Sequence, residues 1–230
     1  MLTAITERLR QRPKPDLRRT RILTQKIRDV FRQDDDRSRW AGSTIRSIVQ
    51  SLPRNAQLQV GNSLIIRDLD LYCESTQPSI SVFANRGVNG IDGQIATAAG
   101  MASAAPNRPS FLLCGDLTAL HDSASFVLAK QYGVAILVID NDGGAIFDHL
   151  PFAEQSDAFE RFFTTPQPVL LEDIVIGFGM TVKKMSADQD SAGLCDDALA
   201  GGTVYLFKVD AKVSKRNRRA ITDTVRLITC

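Results

Sequence analysis

The pattern of hydrophobic and polar positions changes character at Trp40 in this 230-residue chain. Before it, two short helical stretches flank Pro13 and Pro15. In the second, Ile22, Leu23, Ile27, Val30 and Phe31 recur at helical spacing and form a face that wants a partner. After Trp40, Ser43 suits the N-cap of a helix through Gln50, with Ile45, Ile48 and Val49 on one side. Apolar runs then appear at Leu58–Val60, Ser79–Phe83, Ser110–Cys114, Val134–Ile139 and Val204–Val209. They alternate with helix-like segments near Leu64–Tyr72, Ile91–Ser103, Ala119–Gln131, Glu154–Phe163, Leu170–Phe178 and Asp190–Ala200. Strands that are apolar throughout, joined by helices, predict an α/β fold with a mostly parallel sheet and helices on both faces. Residues 1–39 read as a helical stub, the end of something larger, and 40–230 as the α/β domain.

Composition adds exclusions. With 43% hydrophobic and 23% charged residues the chain can build a full core, and no apolar run approaches the roughly 18 residues of a membrane crossing. The net charge of +2 conceals a division: 12 basic and 6 acidic residues in 1–39, 7 and 2 in 208–230, and 9 and 18 between them. Basic ends can signal nucleic acid, but only Lys215 to Arg219 is dense and no aromatic residue interleaves to stack on bases. Solvated helix faces account for that run, so neither nucleic acid nor membrane is expected as a partner. Cys73, Cys114, Cys195 and Cys230 form no metal-ligand or CxxC spacing and read as free thiols in a reducing compartment. The N-terminus lacks the apolar core of a secretory signal, and Glu7, Asp16 and Asp29 argue against a transit peptide. A cytoplasmic protein is expected.

Ligands of parallel sheets bind outside the carboxyl ends of the strands. Those ends carry Asn85 to Gly93, Gly115-Asp-Leu-Thr118 and Asp140-Asn-Asp-Gly-Gly144. Asp116 offers a carboxylate, Asn141 an amide oxygen 25 positions later, and Gly143 a backbone carbonyl. Such hard oxygens suit Mg²⁺, which completes its shell with water and substrate phosphates. Gly115, Gly143 and Gly144 permit close backbone approach, and a helix starting near Thr118 would aim N–H groups at an anion. The same residues also serve simple turns. An EF-hand is excluded, because a loop starting at Asp140 would put Ala145 at its glycine position and Pro151 at its glutamate position. Rossmann and Walker fingerprints are absent from the strand ends.

Four ordered segments resemble the MenD family of thiamine diphosphate (ThDP) enzymes, the 2-succinyl-5-enolpyruvyl-6-hydroxy-3-cyclohexene-1-carboxylate (SEPHCHC) synthases of menaquinone biosynthesis. They are GNSLIIR at 61–67, NRGVNGIDGQIATAAG at 85–100, GDLTALHD at 115–122 and DNDGGAIFDHLP at 140–151. FFTTPQ at 162–167 extends the likeness. GDL in place of the commoner GDG, together with GGAIFDHLP, distinguishes this family from general ThDP decarboxylases such as acetolactate synthase. The resemblance covers the C-terminal third of that family's chain, its diphosphate-binding domain of ThDP-binding fold, with residues 1–39 similar to the end of the central domain.

The resemblance implies that Asp116, Asn141 and the carbonyl of Gly143 hold Mg²⁺, with Ile91, Gly115, Leu117 and Gly144 completing the cofactor site. It further implies that Ser63, Arg67, Arg86, Ile146, Phe147 and Leu150 contact the substrates, 2-oxoglutarate and isochorismate, whose carboxylates arginine binds bidentately. From the residues alone, Arg67 better suits a surface ion pair with Asp68 or Asp70, and the isolated apolar positions better suit core packing. His121 and His149 belong to no chemical position of the motifs. The implied reaction is decarboxylation of 2-oxoglutarate and conjugate addition of the succinyl unit to isochorismate. The family's activating Glu lies on a pyrimidine-binding domain that no part of this sequence resembles, so no catalytic residue is assigned here. That domain is expected on another chain or a missing segment, which implies a homo- or hetero-oligomer. The competing expectation is a non-catalytic module that keeps the Mg²⁺-diphosphate fold. Asp140 and Asp142 stand where the family's turn usually has Asn, and extra carboxylates beside a diphosphate are unfavourable unless they point away or help bind the metal.

Overall fold

The structure, a computed structural model, describes residues 17–35, 40–73, 80–150, 153, 158–185 and 202–229. Their contacts divide them into two compact units, one drawn from Met1–Arg37 with Ala220–Cys230, the other from Ser38–Arg219. In the first lies helix α1 (Leu17–Asp35). The second opens with α2 (Ala41–Ser51), β1 (Gln57–Val60), α3 (Leu64–Tyr72), β2 (Ser81–Ala84), α4 (Gln94–Ala104) and β3 (Ser110–Gly115). It continues with α5 (Asp116–His121), α6 (Phe126–Gln131), β4 (Val134–Asp140), α7 (Leu171–Gly177), β5 (Thr181–Met185) and β6 (Thr203–Lys208). The last helix, α8 (Ala211–Thr229), has residues in both units. No helix among the described residues is long and apolar enough to cross a membrane.

Six strands form one all-parallel sheet in the order β2-β1-β3-β4-β6-β5. The central strands β3 and β4 are apolar at nearly every position because both of their faces are covered. Leu112, Cys114, Ile136, Val138, Val204 and Leu206 point to one face and pack with Ile95, Ala98 and Ala99 of α4, Ala119 of α5 and Phe126 of α6. The alternate positions Phe111, Leu113, Leu137, Ile139 and Tyr205 are equally buried on the opposite face. There α3 packs on β3 and against α2. Trp40 is 1% exposed and meets Tyr72 edge to face at 4.9 Å, with the Arg218 guanidinium 5.5 Å from its ring centroid. Arg218 also grips the buried Asp68 carboxylate with two hydrogen bonds, one of 2.8 Å from Nε. Both partners are nearly dry, so removing either would strand a charge.

Several expectations need correction. Helix α2 begins at Ala41 after Trp40, so Ser43 is not its N-cap; its hydroxyl instead accepts the Trp40 N–H at 2.9 Å from inside the first turn. The segment read as one helix over Ala119–Gln131 is α5, a 3₁₀ turn at Ser123–Ser125 and α6. The break falls where the Asp122 carboxylate leaves its own helix and accepts the N–H groups of Ile95 (2.6 Å) and Ala96 (3.2 Å). The apolar pattern predicts neither strand β5 nor helix α8, of which only Lys215 to Arg219 stands out, as a basic run. The expected helix at Asp190–Ala200, Cys195 and Cys230 lie outside the described residues, as does Glu154 to Asp157 of another expected helix. Of that helix the described end, Glu160–Thr164, is a π-helical turn.

Candidate active site

At the carboxyl ends of β1, β3 and β4, three neighbours in the sheet, the following loops enclose a cavity of about 170 Å³. The β1 loop contributes Asn62 and Ser63, the β3 loop Gly115 to Thr118, and the β4 loop Asn141 and Gly143 to Phe147, with Ile91 completing the wall. Ser63 (φ 71°) and Asp142 (φ 67°) adopt left-handed backbone that side-chain-bearing residues avoid, as does Thr165 (φ 46°) behind the β4 loop. Strain of about 1–3 kcal/mol per residue collects at functional sites where the surroundings enforce it.

Asp116 opens α5, not Thr118 as expected, which leaves a six-residue helix. Its carboxylate is 7% exposed and accepts the N–H of Gly143 at 2.8 Å and of Leu117 at 2.9 Å. Burial pushes its pKa up to about 7; the Gly143 N–H pulls against that rise and the negative charge of Asp140 adds to it. A buried carboxylate that ionises with difficulty is one a cation would relieve. Beside it, Asn141 lines the cavity, and its buried Oδ1 has no hydrogen-bond partner among the described residues. The Gly143 carbonyl accepts the Ala145 N–H at 3.0 Å and retains a second lone pair.

The β4 turn is packed against backbone. A Cβ on Gly143 (φ 125°) would stand 2.2 Å from the Thr164 carbonyl oxygen, and one on Gly144 2.5 Å from that of Phe163. The Gly144 N–H donates to Thr164 O at 2.6 Å, so the FFTTPQ segment is the back wall of the turn. Gly115, by contrast, faces open space. Asp140 and Asp142 do not stand uncompensated: Lys208 Nζ lies 3.2 Å from Asp140 and 4.0 Å from Asp142.

Ten of the residues named from the sequence line this cavity: Ser63, Ile91, Gly115, Asp116, Leu117, Asn141, Gly143, Gly144, Ile146 and Phe147. Arg67, Arg86 and Leu150 do not. Arg67 is exposed and donates to the Ser63 carbonyl one turn back. It pairs with neither Asp68 nor Asp70 in any ion pair among the described residues, and Asp68 is taken by Arg218. Arg86 reaches the site at one remove, donating to Asn62 Oδ1 at 2.7 Å while Asn62 Nδ2 donates to Gly90 O at 2.7 Å. Leu150 ends the 3₁₀ turn Ala145–His149, half-buried. Asn62, Leu64, Ile65, Thr118 and Ala145 also line the cavity and were not singled out. Asn62 carried a signal, since a polar residue between Gly61 and Ser63 directly follows a strand.

Comparison with known proteins agrees with this architecture. The chain is 46% identical over 174 residues to a SEPHCHC synthase of Myxococcus xanthus, covering 74% of this chain and 29% of that one. It is 33% identical over 193 residues to that of Desulfitobacterium hafniense, covering 82% and 34%. The chain thus spans about a third of the length of these curated relatives. Among solved structures, benzoylformate decarboxylase from Polynucleobacter necessarius superposes with a TM-score of 0.57 at 17% identity, over 74% of this chain and 33% of that one. That likeness speaks for the fold alone. Residues 70–209 match the family described as thiamine pyrophosphate enzyme, C-terminal TPP binding domain. That match takes in the loops of β3 and β4 that bear Asp116 and Asn141, and the chain belongs to this family of thiamine pyrophosphate enzymes.

Proposed function

We propose that this chain is the diphosphate-holding part of a ThDP-dependent SEPHCHC synthase, a transferase that uses 2-oxoglutarate and isochorismate in menaquinone biosynthesis. The observation that carries the reading is the buried Asn141 oxygen, without a hydrogen-bond partner among the described residues, on a residue that lines the same cavity as Asp116. A buried amide oxygen without a partner costs about 1–3 kcal/mol, and a metal ion is the partner that the neighbouring carboxylate calls for. Among the described residues no three His, Cys, Asp or Glu side chains gather as a metal cluster. One carboxylate, one amide oxygen and one backbone carbonyl suit Mg²⁺, which takes few protein ligands and keeps phosphate oxygens.

Asp116, Asn141 and the Gly143 carbonyl would hold Mg²⁺, and the Gly143-Gly144 backbone would border the diphosphate. When bound, ThDP supplies the nucleophilic carbon that decarboxylation of a 2-oxo acid requires. The protein's share is positioning and exclusion of water. Ile91 and Ile146 give the cavity apolar walls and Phe147 stands at its edge, 38% exposed. An apolar wall would favour loss of a carboxylate as CO₂, because the cationic ring that ThDP would supply takes up the electron pair left behind and the opposite charges cancel. Arg86, held by Asn62, would meet a substrate carboxylate, with Ser63, Arg67 and Leu150 as further contacts. The activating Glu would come from a pyrimidine-binding domain, either on another chain of a homo- or hetero-oligomer or on a further segment.

Calorimetric titration with ThDP tests the reading. Binding is expected with Mg²⁺ and not with EDTA, and it should weaken at least tenfold in Asn141→Ala. Absence of Mg²⁺-dependent ThDP binding would refute it. Turnover of 2-oxoglutarate and isochorismate by the purified chain alone would refute the need for a second domain.

A further inference from the structure

Asp140 and Asp142 flank Asn141 and put two negative charges on the turn proposed to face a diphosphate. The sheet answers them. β6 pairs in parallel with β4 so that Asp140 lies opposite Lys208, the last residue of each strand. Lys208 Nζ donates to both Asp140 oxygens, at 3.2 and 3.3 Å, and sits 4.0 Å from Asp142 Oδ1. The Asp142 N–H donates to Asp140 Oδ1 at 3.2 Å, which draws the two carboxylates toward one cation.

We propose that Lys208 is a charge-balancing positioning residue: by pairing with Asp140 and Asp142 it keeps the Asn141 turn acceptable to a diphosphate and holds those carboxylates off the metal. The inference rests on the proposed Mg²⁺–ThDP site and concerns a residue on a different strand from every residue assigned to that site. As an ordinary ion pair it would matter little to folding, since the Lys208 side chain is 64% exposed and solvent screens such pairs. Its effect belongs to ligand charge. A unit charge about 10 Å from another, at a dielectric of about 50 for this largely solvated side chain, changes affinity by roughly threefold.

Lys208→Met therefore shifts two affinities in opposite directions. Without the ammonium the turn is more negative, so bare Mg²⁺, with its two charges, binds about tenfold tighter, whereas ThDP at saturating Mg²⁺ binds at least about threefold weaker. Lys208→Arg stays at the wild-type values for both. The double variant Asp140→Asn/Lys208→Met, which keeps the net charge of the wild-type turn, returns ThDP affinity to within about twofold of wild type. Calorimetry on the full chain, with Mg²⁺ alone and with ThDP plus Mg²⁺, reads all three results. Unchanged affinities in Lys208→Met, or both affinities falling together as a misfolded variant would give, overturn the inference and leave the proposed function standing. Failure of the wild type to bind ThDP overturns both.

Discussion

Replacing Asp116 by asparagine should make the metal-free protein more stable at alkaline pH, although it removes the side chain proposed to hold the cation. The folded carboxyl titrates near 7, against an ordinary value of 3.8. Below that ordinary value both folded and unfolded chains hold the proton, and the residue costs nothing. As pH rises toward 7 only the unfolded chain ionises, so native stability falls, and above 7 the deficit is constant. Three pKa units at about 1.4 kcal/mol each give a full deficit of roughly 4 kcal/mol, of which about 3 develops between about pH 5 and about pH 8. Asparagine keeps one acceptor for the two amides and forfeits the other, at about 1 kcal/mol at either pH. Urea unfolding in EDTA should therefore show Asp116→Asn about equal to wild type near pH 5 and about 3 kcal/mol stronger near pH 8. Mg²⁺ should then stabilise the wild type at the higher pH and leave the variant unmoved. A wild-type-to-variant difference constant within about 0.5 kcal/mol across that range would show that burial does not hold up this carboxyl.

Gly144→Ala should abolish Mg²⁺-dependent ThDP binding, because its Cβ meets the Phe163 carbonyl, whereas Gly100→Ala, which faces open space and lies outside the cavity lining, should bind within about threefold of wild type by calorimetry. Burial pushes the Cys73 thiol up to about 12, so at about pH 8 iodoacetamide should alkylate it at least roughly a hundredfold more slowly than free cysteine, as read by mass spectrometry. Arg218→Ala should cost about 3–5 kcal/mol in denaturant unfolding by leaving Asp68 buried and unpaired, and Asp68→Leu/Arg218→Met should recover most of that loss.

The elements legible from sequence are those whose burial is decided locally. Helix α3 runs over Leu64–Tyr72 as its spacing predicts, because Leu64, Ile65 and Tyr72 all turn inward. Strands β3 and β4 are continuous apolar runs and were found within one residue at each end. β5 escaped because an edge strand needs no such run: Lys183 and Lys184 fit its half-exposed positions. The basic run at Lys215 to Arg219 suggested solvated faces, yet Arg218 is buried on Asp68, 150 positions away, a pairing that no local pattern records. In the cavity, glycines, Asp116 and Asn141 were legible because close approach and hard oxygens leave a compositional mark. Lys208 was not, since its partners come from sheet register and its own segment looks like any strand end.

The eight residues from Gly115 to Asp122 join two jobs. At one end Asp116 is tied to the β4 turn through the Gly143 N–H; at the other Asp122 holds the start of α4 through Ile95 and Ala96 and accepts the Ser125 hydroxyl. α4 in turn follows directly on the loop that carries Arg86 and Ile91. The segment is a short strut clamped at both ends by hydrogen bonds. The β4 turn and the loop that carries Arg86 are thereby joined through one continuous run of backbone.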